Sequence, residues 1–310
     1  MSGPCWDAGE ALRVASSNTA AVAALRAAEN REIEIVLSAF GDESCDEQKA
    51  RVFAVSGVLG CRADWDAVKT AWVETTEGKV FHAAQCESSS GDYAGIDPKK
   101  NLKLYADLTK LIARSKLVGH CAVLSLEDYR AAFPSDLSDA PYYWCFSDVV
   151  RALGEVAYLS VPREPIEFTF DQNPEREYNA ALLYDYAANL SESPLREVFA
   201  DKVSFATRRT VGIQVADLIA GEAMKNLDNR IGPIRRPVRL SKKTLYATRR
   251  FTFVYFRRTG FENLKQRFAR MSVRGATLME YRQWLSTKRL KDSITNRSRY
   301  TGRSPNGTIV

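Results

Sequence analysis

Between Gly212 and Gly221 the chain reads Gly-Ile-Gln-Val-Ala-Asp-Leu-Ile-Ala-Gly, an apolar helical run interrupted by one amide and one acid. An acid set among Val215, Ala216, Leu218 and Ile219 is costly to bury without a partner, so the fold must bring something to Asp217. Gln214 and Asp217 are three residues apart and share a helix face. Gly221 lies on nearly the same stripe, where a missing side chain lets the helix approach another backbone. Far upstream, Gly41-Asp42-Glu43-Ser44 stands where the apolar run 33–40 reads as a strand running out. A strand at 166–170 likewise ends at Asp171.

Strand ends in an open α/β sheet point at one crevice, where ligands of such proteins bind. If the strands before Asp42 and Asp171 are parallel neighbours, their acids meet, and a helix carrying Asp217 can complete the group. Two carboxylates about 4 Å apart repel by about 4 kcal/mol at an effective dielectric of about 20. A proton or a divalent cation relieves that repulsion. Three acids make an oxygen-rich site suited to Mg²⁺ or Mn²⁺, ions that in pairs support phosphodiester cleavage. Each acid also has a plainer explanation. Asp42-Glu43 alone reads as a hairpin turn, Asp171 as the N-cap of a following helix, and Asp217 as half of a salt bridge to Arg208 or Arg209.

The surrounding pattern predicts an α/β domain with a mixed sheet. Strands are expected at 33–40 and 52–59 as a hairpin, then at 117–126, 166–170 and 202–207, with helices at 64–77, 102–115, 142–159, 175–189 and 211–226. Residues 79–83 read as a short extended piece and 87–100 as a polar loop. An Ala-rich helical segment at 1–30 precedes the domain, which spans 31–229. Residues 230–310 form a basic extension, opened by a Pro- and Arg-rich connector. The strip 251–256 reads as a strand, 261–271 and 276–285 as helices, and the last twenty or so residues as disordered when unbound.

Charge divides along the same boundary. The net charge is +6, yet residues 230–310 hold 21 Lys and Arg against three acids, while residues 1–229 hold 23 against 35. An acidic body with a basic final quarter points to a polyanionic partner, nucleic acid, with a partner protein or an intramolecular contact as the other use of the extension. Arg249, Arg250, Arg257, Arg258, Lys288 and Arg289 are the candidate contacts. The aromatics of 251–256, flanked by Arg249-Arg250 and Arg257-Arg258, suit a sheet face better than base stacking. No run approaches the roughly 18 apolar residues of a membrane span. The first residues lack a basic-then-apolar leader, and the six cysteines are scattered without a Cys-x-x-Cys pair. A cytoplasmic protein with reduced thiols is therefore expected. His82 and Cys86 have the i, i+4 spacing of a helical metal pair, but no second soft pair accompanies them.

These residues resemble the domain-of-unknown-function family 3800. Asp42-Glu43-Ser44 matches the family's Asp-Glu-Ser-Gly motif, and Gln214-Val215-Ala216-Asp217 its Gln-x-Ala-Asp motif. Phe81-His82-Ala83 is similar to an intermediate His-Ala element, and Asp171 sits where a central strand carries an acid. The likeness covers about 32–226. Cys45 stands where the family usually has Gly, and Thr207-Arg208 where a Ser-Arg pair is common. The resemblance implies a ribonuclease H-like fold and an acidic site. Together the two lines of argument lead to the expectation of a divalent-metal-dependent nuclease acting on DNA or RNA. Asp42, Asp171 and Asp217 are the expected metal ligands, with Glu43 as a fourth ligand or an orienting neighbour. His82 is a proton shuttle or a structural histidine, and Gln214, Arg208 and Arg209 are substrate-side groups. The alternatives are a binding module on the same fold and a hydrolase of a small phosphorylated or nucleotide substrate.

Overall fold

A computed structural model describes residues 37–46, 48–134, 140–160, 165–188 and 194–263. The helices expected at 1–30 and 276–285, most of the one at 261–271, and Lys288 and Arg289 lie outside the described residues.

Six strands form one mixed sheet: β1 (Leu37–Cys45), β2 (Val52–Cys61), β3 (Val118–Ser125), β4 (Ile166–Asp171), β5 (Ser204–Ala206) and β6 (Phe251–Phe256). Their spatial order is β5-β4-β1-β2-β3-β6. β1, β2 and β3 make an antiparallel meander. On the other side of β1, β4 and β5 run parallel to it, and β6 runs parallel to β3 at the opposite edge.

β2 and β3 are buried along their whole length, which explains why both read as continuous apolar runs rather than as alternating patterns. Helices cover both faces. On one lie α1 (Arg62–Thr76), α2 (Ala83–Ser88), α3 (Pro98–Arg114), α7 (Val211–Ile231) and α8 (Leu240–Ala247); on the other lie α4 (Leu126–Ala132), α5 (Ala140–Ser160) and α6 (Glu177–Ala188). Successive strand side chains alternate between the two cores: Phe53 and Val55 join the α5 side, Val52, Ala54 and Val58 the α7 side.

Several expectations shift. β1 does not stop before the acids but continues through Asp42, Glu43 and Ser44 to Cys45, paired with Ser56, Val55, Ala54 and Phe53. The turn is made by Asp46 instead, whose carboxylate accepts the amides of Ala50, Arg51 and Val52 at 2.8–3.1 Å. Cys45 is therefore ordinary extended strand. α2, α4 and α8 are short helices without a long periodic pattern, and the sequence does not announce them. The sheet also crosses the boundary expected at 229, because β6 supplies its edge strand. Phe251, Phe253 and Tyr255 pack on the α7-side core and Phe256 on the other.

Candidate active site

β1 and β4 are parallel neighbours, with Gly41 in register with Phe170, so Asp42 and Asp171 come next on adjacent strands. Strand alternation then decides which way each side chain points. Phe170 packs against Phe146 of α5, which turns Asp171 to the α7 face. Asp42 stands opposite Ser56, whose hydroxyl donates to the Ala216 carbonyl of α7 at 2.7 Å. Asp42 therefore also faces α7, with Asp217 one residue beyond that anchor. Two strand acids and the helix acid gather at one end of the sheet.

α7 approaches the sheet closely because Gly212 has no side chain. A Cβ there would fall 2.2 Å from the Phe40 ring. Gly221, expected to serve this purpose, does not need to: a Cβ would meet that of Ala83 at an ordinary 3.5 Å.

Asp42 is 2% exposed. One carboxylate oxygen accepts the Glu43 amide at 2.7 Å; the other, Oδ2, is buried without a hydrogen-bond partner. Burial, then the Asp217, Asp171 and Glu43 carboxylates, push the Asp42 carboxyl well above the usual range, against the pull of Arg208. Asp171 is also raised, chiefly by burial, with Arg208 opposing. Arg208 Nε lies 3.4 Å from Asp171 Oδ2. Despite its partial burial, Asp42, Asp171 and Asp217 strengthen the Arg208 guanidinium's hold on its proton.

Asp217 is not the partner of Arg208 or Arg209. Its Oδ2 accepts the Ala83 amide at 2.7 Å and lies 3.0 Å from His82 Nδ1. Phe81-His82-Ala83 thus runs along α7 and forms a wall of the site. Gln214 fastens the same segment. Its carbonyl accepts the Trp72 indole and the Phe81 amide, both at 2.9 Å, while its amide donates to the carbonyls of Arg208 at 2.9 Å and Arg209 at 3.4 Å. The expected substrate-side role for Gln214 is corrected accordingly, because its polar groups are already engaged in joining three segments.

Glu43 is likewise corrected. It follows Asp42 by one residue, so its side chain leaves by the opposite face. There it accepts from Asn173 at 3.1 Å and from Arg176 at 2.5 Å. Burial raises its carboxyl, and Arg176 and Asn173 counter this. The N-cap explanation of Asp171 also fails. Asn173, not Asp171, receives the next turn's amides through its carbonyl and side chain. Cys86 is buried and its thiol donates to the Asn101 carbonyl, so it forms no metal pair with His82.

Arg209 is exposed. Of the cations flanking β6, Arg249 is exposed, Arg250 donates to the Ala113 carbonyl at 2.6 Å, Arg257 lies 3.8 Å from Asp128, and Arg258 pairs with Glu262 at 3.1 Å. Three of the four are thus partly committed to the fold.

Ser56, Asn173 and Arg176 were not singled out from the sequence. Ser56 left a trace there as the one hydroxyl in an otherwise apolar strand, and Asn173 as the capping-type residue before Pro174.

Among the described residues no three His, Cys, Asp or Glu side chains stand together as a ready metal-holding group, and no helix is long and apolar enough to cross a membrane. Compared with protein-family models, with curated proteins and with solved structures, the chain matches none.

Proposed function

We propose that this chain is a divalent-metal-dependent nuclease, hydrolysing phosphodiester bonds on a ribonuclease H-like scaffold of the family 3800 type. The observation that carries the reading is Asp42 Oδ2. It is a buried carboxylate oxygen without a donor, in the field of two further acids. Such an orphan is expensive to keep and is satisfied by a cation. The meander β1-β2-β3 with β4 and β5 added parallel to β1 supports the fold assignment, since it places the first strand, the fourth strand and the long α7 at one crevice.

Asp42 would hold Mg²⁺ or Mn²⁺ together with Asp171 and with the oxygen of Asp217 that Ala83 leaves free. When bound, the ion would supply Lewis-acid activation and charge neutralisation for phosphodiester hydrolysis. The remaining work falls to the chain's own groups. Arg208, half exposed beside Asp171, meets an incoming phosphate. The Ala83 amide and His82 fix the rotamer of Asp217. His82 Nδ1 is engaged with Asp217, so Nε2 is the nitrogen left to exchange a proton with substrate or solvent.

A second reading, a nucleic-acid-binding module with a degenerate site, is favoured by the absence of a preassembled three-ligand group among the described residues. Incubating the protein with Mn²⁺ and labelled single- and double-stranded DNA and RNA separates the two. Cleavage that requires the ion and disappears in Asp217→Asn supports the nuclease. Binding without cleavage, unchanged in Asp217→Asn, supports the module.

A further inference from the structure

From Asn229 to Phe261 the chain has ten Lys and Arg and no acid. The segment after α7 does not trail away. It folds back along that helix, with the Arg236 amide on the Asn229 carbonyl at 3.0 Å. Arg239 then enters a partly buried cluster of charged groups around Glu222. Its guanidinium donates to Glu222 of α7 at 2.9–3.2 Å and also pairs with Glu87 of α2. Glu222 is fully buried and accepts the Tyr105 hydroxyl at 2.7 Å, and Lys225 pairs with Glu87. A carboxylate this deep is strongly destabilising without a cation, so Glu222 holds Arg239, and hence the segment, in place. Glu87 closes α2, the helix whose first residues stand beside Asp217. The fold-back segment is therefore tied to the wall of the acid site.

Beyond the clasp, α8 turns Lys242 and Leu245 inward and leaves Leu240, Lys243 and Tyr246 outside. Leu240 is 79% exposed and Tyr246 56%. Arg235, Arg236, Lys243 and Arg249 are exposed and make no ion pair among the described residues. Lys242 Nζ lies 5.6 Å from the centroid of the Tyr246 ring, and the rest of that ring faces solvent. Cations interspersed with this half-exposed aromatic ring and alkyl side chains, on a segment already ordered, match what a single-stranded nucleic acid offers: phosphates with accessible base faces. A duplex hides its base faces and would leave the ring and alkyl groups without a contact. Because the strip is preordered, little conformational entropy is lost on binding.

We propose that the strip formed by Arg235, Arg236, Lys243, Tyr246 and Arg249 is a docking surface for single-stranded nucleic acid. This rests on the nucleic-acid reading above but not on catalysis.

The test measures fluorescence anisotropy of the full chain with a short labelled oligonucleotide, single-stranded and duplex, across a salt series in EDTA, where hydrolysis plays no part. Each single-strand phosphate contact contributes about 0.7 to the log–log salt slope. Arg235→Ala/Arg236→Ala/Lys243→Ala should therefore flatten it by about 2, and the charge-preserving Arg235→Lys/Arg236→Lys/Lys243→Arg should restore it. Tyr246→Ala should weaken single-strand binding by about tenfold or more, with the slope unchanged. The proposal is overturned by absent binding, by equal slopes for all variants, by a Tyr246→Ala loss that is the same for duplex, or by tighter binding of anionic lipid vesicles than of oligonucleotide. Failure of the nuclease reading alone would leave these binding results intact and remove only the ion-dependent cleavage.

Discussion

Asp217 Oδ2 accepts the backbone amide of Ala83 at 2.7 Å and lies 3.0 Å from His82 Nδ1, so the acid inside α7 is held by the Phe81-His82-Ala83 segment. Asp217→Asn keeps an oxygen for the Ala83 amide and loses the charge. It should retain the fold, with Tm close to the parent, and lose ion-dependent cleavage. Asp217→Ala should in addition cost about 1–3 kcal/mol, because the buried amide loses its acceptor. Thermal melts beside a turnover assay separate the two effects.

Asp42 carries the opposite cost. Its carboxyl titrates higher in the folded than in the unfolded chain. Between those two values the folded state holds the extra proton, so stability falls as pH rises through the window and the full penalty remains above it. Asp42→Asn should therefore melt higher than the parent at neutral pH without divalent ions. A gain of about 1 kcal/mol corresponds to about 2–4 °C in a domain of about 200 residues. Added Mn²⁺ should raise the Tm of the parent and not of the variant. A lower Tm for Asp42→Asn in EDTA would count against the orphaned oxygen.

Glu43 and Asp42 are adjacent in sequence but leave opposite faces of β1. Glu43→Gln should thus preserve ion binding and cleavage, and Asp42→Asn should abolish both. Loss of Mn²⁺ binding in Glu43→Gln, measured by titration calorimetry, would return Glu43 to the ligand set.

Gln214 accepts from Trp72 and Phe81 and donates to Arg208 and Arg209. Gln214→Ala should cost about 1–3 kcal/mol for each donor left buried without an acceptor. Urea denaturation would read this as a fall in midpoint. An unchanged midpoint would mean that water replaces the amide.

The two glycines of α7 should behave oppositely. Gly212→Ala forces a methyl into the Phe40 ring and should destabilise by about 1–3 kcal/mol. Gly221→Ala meets only ordinary contact with Ala83 and should gain up to about 1 kcal/mol of helix propensity. Urea midpoints of the two variants provide the comparison.

By itself the sequence determined the elements with periodicity or apolar runs: the β1-β2 hairpin, β3 to β6, and the helices α1, α3, α5, α6 and α7. It also determined that Asp42, Asp171 and Asp217 were the acids to examine, because each interrupts or ends an apolar run and local composition records that conflict. Tertiary structure alone decided the rest. Whether Asp42 or Glu43 faces α7 depends on strand register, since one residue's shift exchanges the faces. Local composition had suggested that β1 ends before its acids. Pairing with β2 carries the strand through them, because cross-strand hydrogen bonds and burial outweigh the turn preference of Asp and Ser. The donors to Asp217 and Gln214, Ala83, Trp72 and Phe81, lie more than a hundred residues away along the chain, and no local pattern encodes a contact at that separation. The same is true of Arg239 and Glu87, which join the basic segment to the wall of the acid site only once both strands and helices are in place.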